Sequence, residues 1–166
     1  MKKVFLFFLT LSIAACAQAP SSSVATETQI SDQQSAISNS DEASVRAVVE
    51  GFGQRLQNVA LLSDSAPFQI MQEYGHYVAP ELLVLWATDP FNAPGRQTSS
   101  PWPDRIEISS VLQKDANTYL VTGSVIEITS QELMSGGVAA QYPVTLKVKK
   151  IGESWLITAF EKGDYQ

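Results

Sequence analysis

The stretch PELLVLWATDPFNAPGRQTSSPWPDRIEI, residues 80–108, decides the fold class because the spacing of its apolar residues changes along its length. Its first part is typical of a short helix, since Pro80 is tolerated in a first helical turn and Pro90 ends the segment. After an irregular loop, Ile106 and Ile108 alternate with polar neighbours, which is the period of a β-strand. The sequence therefore predicts helices before this loop and strands after it.

Two further helices are predicted on the N-terminal side. The segment SVRAVVEGFGQRLQNV has apolar residues at helical spacing, and Asn39 is the expected N-cap of this first helix. A shorter helix is expected from about Ala66 to Tyr74. Gly51 and Gly53 each cost about 1 kcal/mol within a helix, so we expect them to mark a bend or the close approach of a neighbouring strand.

Three more segments on the C-terminal side, TYLVTGSVIEIT, AQYPVTLKVKK and SWLITAFE, are predicted to be strands. In the first of them the apolar phase slips near Gly123, which predicts a β-bulge in that strand. The short spacer KIGES predicts a tight hairpin between the last two. Helices followed by an antiparallel meander predict an α+β fold in which one sheet carries the helices on one face.

This order of elements resembles the cone-shaped, cystatin-like domains of the nuclear transport factor 2-like superfamily. Those domains have a long bent N-terminal helix, two shorter helices and a strongly curved sheet that closes with a Trp-bearing hairpin, here GESWLI. The resemblance spans residues 40–166 and rests on the order of elements. The segments YVAPELLVLW and SSPWPDRIEI are also similar to segments of bacterial lipoproteins of this kind.

The N-terminus has the composition of a secretory signal. Two lysines precede an apolar run that is too short to cross a membrane core, for which ~20 residues are needed. The motif IAAC, which ends at Cys16, resembles the lipobox of bacterial lipoproteins and implies that residues 1–15 are removed and Cys16 receives lipid, including palmitate. A conventional signal peptide cut near Ala17 or Ala19, which would release a soluble protein, is the alternative.

Lipidation sets the expected location and organisation of the mature chain. Cys16 is the only cysteine, and Ala17 follows it in place of the Asp that retains lipoproteins at the inner membrane. We therefore expect an extracytoplasmic protein anchored to the cell membrane, or to the outer membrane where the organism has one. Residues 16–39, rich in Ser, Ala, Thr and Gln, are expected to form a disordered tether after the lipidated cysteine, and residues 40–166 a single α+β domain.

The charge balance limits the possible partners. The chain has 11 Lys and Arg against 17 Asp and Glu, a net charge of −6, which becomes −8 without the two lysines of the signal peptide. Nucleic acid is not an expected partner, because binding to phosphate backbones depends on Lys and Arg. His76 is the only histidine, which excludes a metal site with several histidines, and we expect neither a metal nor a cofactor.

Candidate catalytic residues follow from the enzymes of the same superfamily, which include ketosteroid isomerases and related dehydratases. The resemblance implies an Asp or His base with Tyr or Asp donors inside the cone, and His76, Asp104 and Glu127 are the candidate bases. Glu127 faces outward if Ile126 and Ile128 face the core, and faces inward if the bulge reverses the phase. No serine nucleophile motif or phosphate-binding loop is present.

Aromatic residues near the junction of helices and sheet suggest a ligand pocket, because such pockets are mostly apolar with a few polar groups. The candidate ligand-binding residues are Tyr74, Tyr77, Trp86, Trp102 and Arg105. Trp102, held between two prolines, either seals the cone or lines its mouth, and Arg105 can pair with Glu107.

The expected function is that of a non-catalytic binding or cell-envelope assembly module. Its expected partners are the membrane, through the lipid anchor, and an envelope protein, a peptide or a small apolar ligand. The alternative is a cofactor-free isomerase- or hydratase-like enzyme that uses a pocket in the cone.

Overall fold

The structure is a computed structural model that describes the backbone of residues 25–165 and the side chains of residues 39–165. The predicted signal peptide and the lipidation site at Cys16 lie outside the described residues. From Ile37 onward, the described residues belong to one compact unit. Of the tether predicted over residues 16–39, the part before Ala25 lies outside the described residues, and the part from Ala25 onward coincides with the first helix.

Four α-helices are present in the described part of the chain. They are α1 (Ala25–Arg55), α2 (Ala66–Tyr74), α3 (Pro80–Thr88) and α4 (Ser130–Ser135). The predicted bounds of α2 are confirmed, and so are the positions of Pro80 and Pro90 at the two ends of α3.

The predicted start of α1 is wrong. Asn39 lies inside the helix, which begins at Ala25 within the segment predicted to be a tether. No proline or glycine occurs between Ala25 and Gly51 to interrupt helical hydrogen bonding. A favourable capping residue at Asn39 therefore did not mark the start of the helix.

The strands form one antiparallel sheet in the order β1-β2-β3-β4, which confirms the α+β fold and the meander. They are β1 (Trp102–Asp115), β2 (Thr118–Ile128), β3 (Ala140–Ile151) and β4 (Ser154–Lys162). The predicted tight hairpin between β3 and β4 is confirmed, because Ile151 pairs with Ser154 and Gly152 has a φ of 61° between them. A left-handed φ of this kind favours glycine.

The predicted bulge in β2 is wrong, since β2 pairs with β3 in continuous register throughout. The irregularity lies in β1, where the register shifts between Ile108 and Ser110, opposite Gly123. A Cβ atom on Gly123 would collide with the carbonyl oxygen of Glu107. Gly123 therefore allows the bulged β1 backbone to approach closely.

The core lies between the helices and one face of the sheet. Its aromatic centre joins the helices to β4, with the Phe52 ring centroid 4.9 Å from that of Tyr74 and 6.1 Å from that of Trp86. A Cβ atom on Gly53 would lie 2.6 Å from the amide nitrogen of Ile106, which confirms the predicted close approach of a strand to α1. The sheet contributes residues from β2, β3 and β4 in one alternating phase, including Tyr119, Val121, Val125, Leu146, Val148 and Ile157.

Candidate functional site

An open cleft of about 580 Å³ lies at one end of the sheet. One wall is the loop that joins α3 to β1, and the other is formed by the end of β2, the start of β3 and the end of β4. This volume falls in the range of about 300–1,000 Å³ that is usual for small-molecule sites. We therefore take this cleft as the candidate functional site.

Hydrogen bonds to buried parts of the helical layer hold the loop wall in place. The Tyr74 hydroxyl donates to the carbonyl oxygen of Pro94 at 2.7 Å, and both residues are buried. Backbone bonds between Arg96 and the segment Val59–Leu61 add support at 2.8 and 2.9 Å. The loop is thus fixed to the domain, although it carries no regular structure near Pro94.

The sheet wall presents three polar side chains from three adjacent strands. Glu127 continues the phase of Val121 and Val125 in β2, Tyr142 pairs with Val125 across to β3, and Lys162 in β4 belongs to the same end of the sheet. Because side chains alternate between the two faces of a strand, Glu127 points to the helix-facing side. All three line the cleft.

Glu127 is the only charged residue among those described that is buried, with 8% of its surface exposed. The Tyr165 hydroxyl donates to its Oε1 at 3.1 Å, and the described residues make no side-chain hydrogen bond to Oε2. No fully enclosed side-chain oxygen of the described part lacks a partner. The Oε2 atom is therefore open to the cleft and can accept a hydrogen bond from a ligand.

Two tyrosine rings and a lysine surround this carboxylate. The rings of Tyr142 and Tyr165 are 5.0 Å apart at an angle of 64°. The Lys162 Nζ lies 4.2 Å from the Tyr142 ring centroid and 4.6 Å from that of Tyr165, within the ~6 Å of a cation–π interaction. The corner formed by Glu127, Tyr142 and Tyr165 is called the carboxylate–tyrosine corner below.

Both tyrosines hold their protons more tightly than a free tyrosine does. Burial raises the pKa of Tyr142, and the neighbouring Tyr165 and Glu127 raise it further. Burial also raises the pKa of Tyr165 to about 12, with added contributions from the charge and the hydrogen bond of Glu127. At neutral pH both phenols are therefore hydrogen-bond donors next to a carboxylate.

Of the candidate bases, the structure places only Glu127 at the cleft. Ile126 and Ile128 are buried too, but they lie outside the central core cluster, on the opposite side of β2. His76 is exposed and does not line the cleft. Asp104 lies elsewhere on the surface and is held by an ion pair of 2.7 Å with Arg105.

The candidate ligand-binding aromatics are not brought together at the cleft. Tyr74 and Trp86 are buried in the core, where their rings are 6.1 Å apart. Tyr77 is half-buried, and its ring occupies the space next to Gly51. These three residues are part of the packing between the helices and the sheet.

Trp102 neither seals the cleft nor lines its mouth. It pairs with Ile128, whereas Pro103 pairs with Glu127, so Trp102 lies on the opposite face of the sheet from the carboxylate. The flanking residues Pro101 and Pro103 line the cleft in its place.

The predicted pairing of Arg105 with Glu107 is confirmed, with 2.6 Å between the Arg105 Nη2 and Glu107 Oε1 atoms.

Tyr142, Lys162 and Tyr165 are not among the site residues predicted from the sequence. The alternation in AQYPVTLKVKK placed Tyr142 on the same face as Val144, Leu146 and Val148, so its orientation was available. Its meeting with Glu127 depends on the register of β2 against β3, which local patterns do not specify.

Within residues 39–165, no three His, Cys, Asp or Glu side chains are grouped closely enough to hold a metal ion. None of the described helices has the length and apolar character required to span a membrane. No known family model, curated protein or solved structure matches this chain.

Proposed function

We propose that the chain is a lipid-anchored extracytoplasmic protein with a nuclear transport factor 2-like domain that binds a small, partly apolar molecule without converting it. The observation that carries the binding role is the open cleft with a buried carboxylate, Glu127, whose Oε2 has no partner among the described residues. A buried charge is costly unless it is paired. Its presence in a cleft of ligand size favours recognition of a polar group.

The cleft favours a small ligand over the other partners considered. Its apolar part is formed by side chains such as Leu61, Phe91, Pro101 and Phe160. Its polar groups are confined to a few positions, which suits a molecule with an apolar body and one polar end. An extended peptide or a second envelope protein would need a larger and flatter surface.

The binding role is tested by a fragment screen that follows backbone amide shifts by NMR. Thr98 lines the cleft and its exposed neighbour Ser99 does not, so Thr98→Trp narrows the cleft while Ser99→Trp is the matched control. We expect shifts at cleft residues that Thr98→Trp abolishes and Ser99→Trp leaves intact. Amide shifts that are the same in the Thr98→Trp variant as in the unchanged protein would place ligand binding elsewhere and overturn the proposal.

The anchoring role rests on the lipobox-like sequence and is tested separately. Two or more acyl chains are needed for stable anchoring, because a single chain binds only marginally. Cys16→Ala should move the protein from the membrane fraction to the soluble fraction and abolish labelling by radioactive palmitate. A variant that stays in the membrane fraction would contradict lipidation at Cys16.

A second candidate function is favoured by Glu127 lying beside two protonated phenols. This arrangement resembles the base and hydrogen-bond donors of cofactor-free isomerases and hydratases. Glu127 would remove a proton next to a carbonyl group, and Tyr142 or Tyr165 would donate to the carbonyl oxygen. The test is exchange of such protons for deuterium in a panel of ketones: exchange that Glu127→Gln abolishes supports an enzyme, and its absence supports binding alone.

A further inference from the structure

We propose that the cleft recognises an organic ammonium group, which takes the place of the Lys162 ammonium between Tyr142 and Tyr165 and pairs with Glu127. This inference rests on the proposed function, because it names the class of ligand for the same cleft. According to this inference, the site is occupied in the free protein by the ammonium group of the chain's own Lys162.

The positions of the two tyrosine rings show that the carboxylate–tyrosine corner accommodates a cation. The Nζ atom of Lys162 lies within 5 Å of both ring centroids, at 4.2 and 4.6 Å. Two aromatic faces turned toward one ammonium form the arrangement by which proteins bind alkylated ammonium groups. The same position is therefore open to a ligand ammonium of similar size.

The Lys162 side chain is a displaceable occupant. It is exposed, and the ion pairs of the described residues do not include one between Lys162 and Glu127. A lysine side chain is flexible and its ammonium is well hydrated in water, so it can leave the rings at small cost. Its departure would open the corner without breaking a salt bridge.

A ligand ammonium gains an interaction that Lys162 does not make. The Oε2 atom of Glu127 is open to the cleft, and the residue as a whole is 8% exposed. A hydrogen bond from an ammonium to a carboxylate in such a place is stronger than a neutral one. The ligand is thus favoured over Lys162 by pairing with Glu127, while its apolar body packs in the rest of the cleft.

The test compares three probes of matched size and different charge: phenethylammonium, 2-phenylethanol and 3-phenylpropionate. Each is titrated into the full-length protein, with the amide shifts of cleft residues as the readout. We expect phenethylammonium to bind about tenfold more tightly than the neutral alcohol, and the anion to bind most weakly.

Two charge-removing variants with matched controls separate this site from general electrostatics. Glu127→Gln should weaken phenethylammonium binding roughly tenfold, whereas the exposed Glu161→Gln on β4 should not. Lys162→Met should tighten binding, because the competing ammonium is gone, whereas the exposed Lys149→Met on β3 should not. Thermal unfolding of each variant verifies that it is folded.

The outcomes distinguish this inference from the proposed function. Equal or tighter binding of the alcohol or the anion at the cleft overturns ammonium recognition and leaves the binding role in place. If phenethylammonium does not bind even to the Lys162→Met variant, ammonium recognition is also overturned. The result for Glu127→Gln does not change that conclusion. The fragment screen with Thr98→Trp then decides independently whether the cleft binds any small molecule.

Discussion

Removal of a single hydroxyl group tests whether the cleft loop is fixed to the core. Tyr74 is fully buried, and its hydroxyl donates to the carbonyl oxygen of Pro94 at 2.7 Å. The substitution Tyr74→Phe removes this bond and keeps the ring contacts with Phe52 and Trp86, at 4.9 and 6.1 Å. Any loss of stability therefore reports the hydrogen bond rather than the aromatic packing.

The expected cost follows from the burial of both partners. A buried carbonyl oxygen that loses its only donor costs about 1–3 kcal/mol, more than the mean net value of a hydrogen bond. We expect Tyr74→Phe to lower the free energy of unfolding by about 2 kcal/mol. For a domain of this size, that loss corresponds to a fall of roughly 5–10 °C in Tm.

Urea unfolding followed by circular dichroism measures this difference, with Thr98→Val as the control. Thr98→Val also removes one hydroxyl hydrogen bond to a proline carbonyl in the same loop, at 3.1 Å to Pro101, but Thr98 is exposed and water can replace the lost donor. We expect the control to cost less than about 0.5 kcal/mol. Equal costs for the two variants, or no cost for Tyr74→Phe, would refute the argument that Tyr74 fixes the loop.

Three other perturbations test the fold. Asp41→Ala should cost about 1 kcal/mol in urea unfolding, because it removes the acceptor of the Trp155 indole N–H at 3.3 Å and of a lysine at 3.4 Å. Thr129→Ala should cost about 1 kcal/mol by removing a capping box, and hydrogen exchange should locate the loss in α4. Burial raises the pKa of Tyr74 and of Tyr142, so the stability contributed by their neutral forms should be constant below about pH 10, the value for unfolded tyrosine, and should fall as the pH rises further. Unfolding midpoints that show no such fall would contradict their burial.

The sequence was informative where one local rule decided the structure. Pro80 and Pro90 bracketed α3 because proline is restricted at both places, and the KIGES spacer predicted a hairpin because its length allows little else. The start of α1 was missed because a favourable cap at Asn39 does not stop a helix that nothing interrupts. The capping box of Thr129 and Glu132 is the sequence signal from which α4 could have been predicted.

The orientation of Glu127 was ambiguous for a physical reason. Alternation reveals the inner face of a strand only when the other face is polar. At the end of β2, Ile126, Glu127 and Ile128 are all buried, so the pattern carries no information on which side is the core. The register against β3 decides it, and register is a property of pairing over a long distance in sequence.

The same alternation resolves the role of the Pro-Trp-Pro stretch that joins the loop to β1. Neighbouring residues of a strand point to opposite faces, so Pro103 and Trp102 cannot serve the same surface. Pro103 faces Glu127 and stiffens the rim of the cleft, while Trp102 packs on the other face beside Ile128. The segment therefore lines the cleft on one face of the sheet, through Pro103, and places Trp102 on the opposite face.

Glu127 occupies a place in the register where an aliphatic residue would stabilise the domain more. Val121 and Val125 hold two of the earlier positions of the same phase, on either side of Gly123, and are fully buried, whereas Glu127 places a charge there with one tyrosine as its described partner. A residue that breaks the local pattern without compensation from its neighbours is typical of a functional site. The open oxygen and the size of the cleft therefore support the proposal that a bound molecule, most directly a cation, supplies the missing compensation.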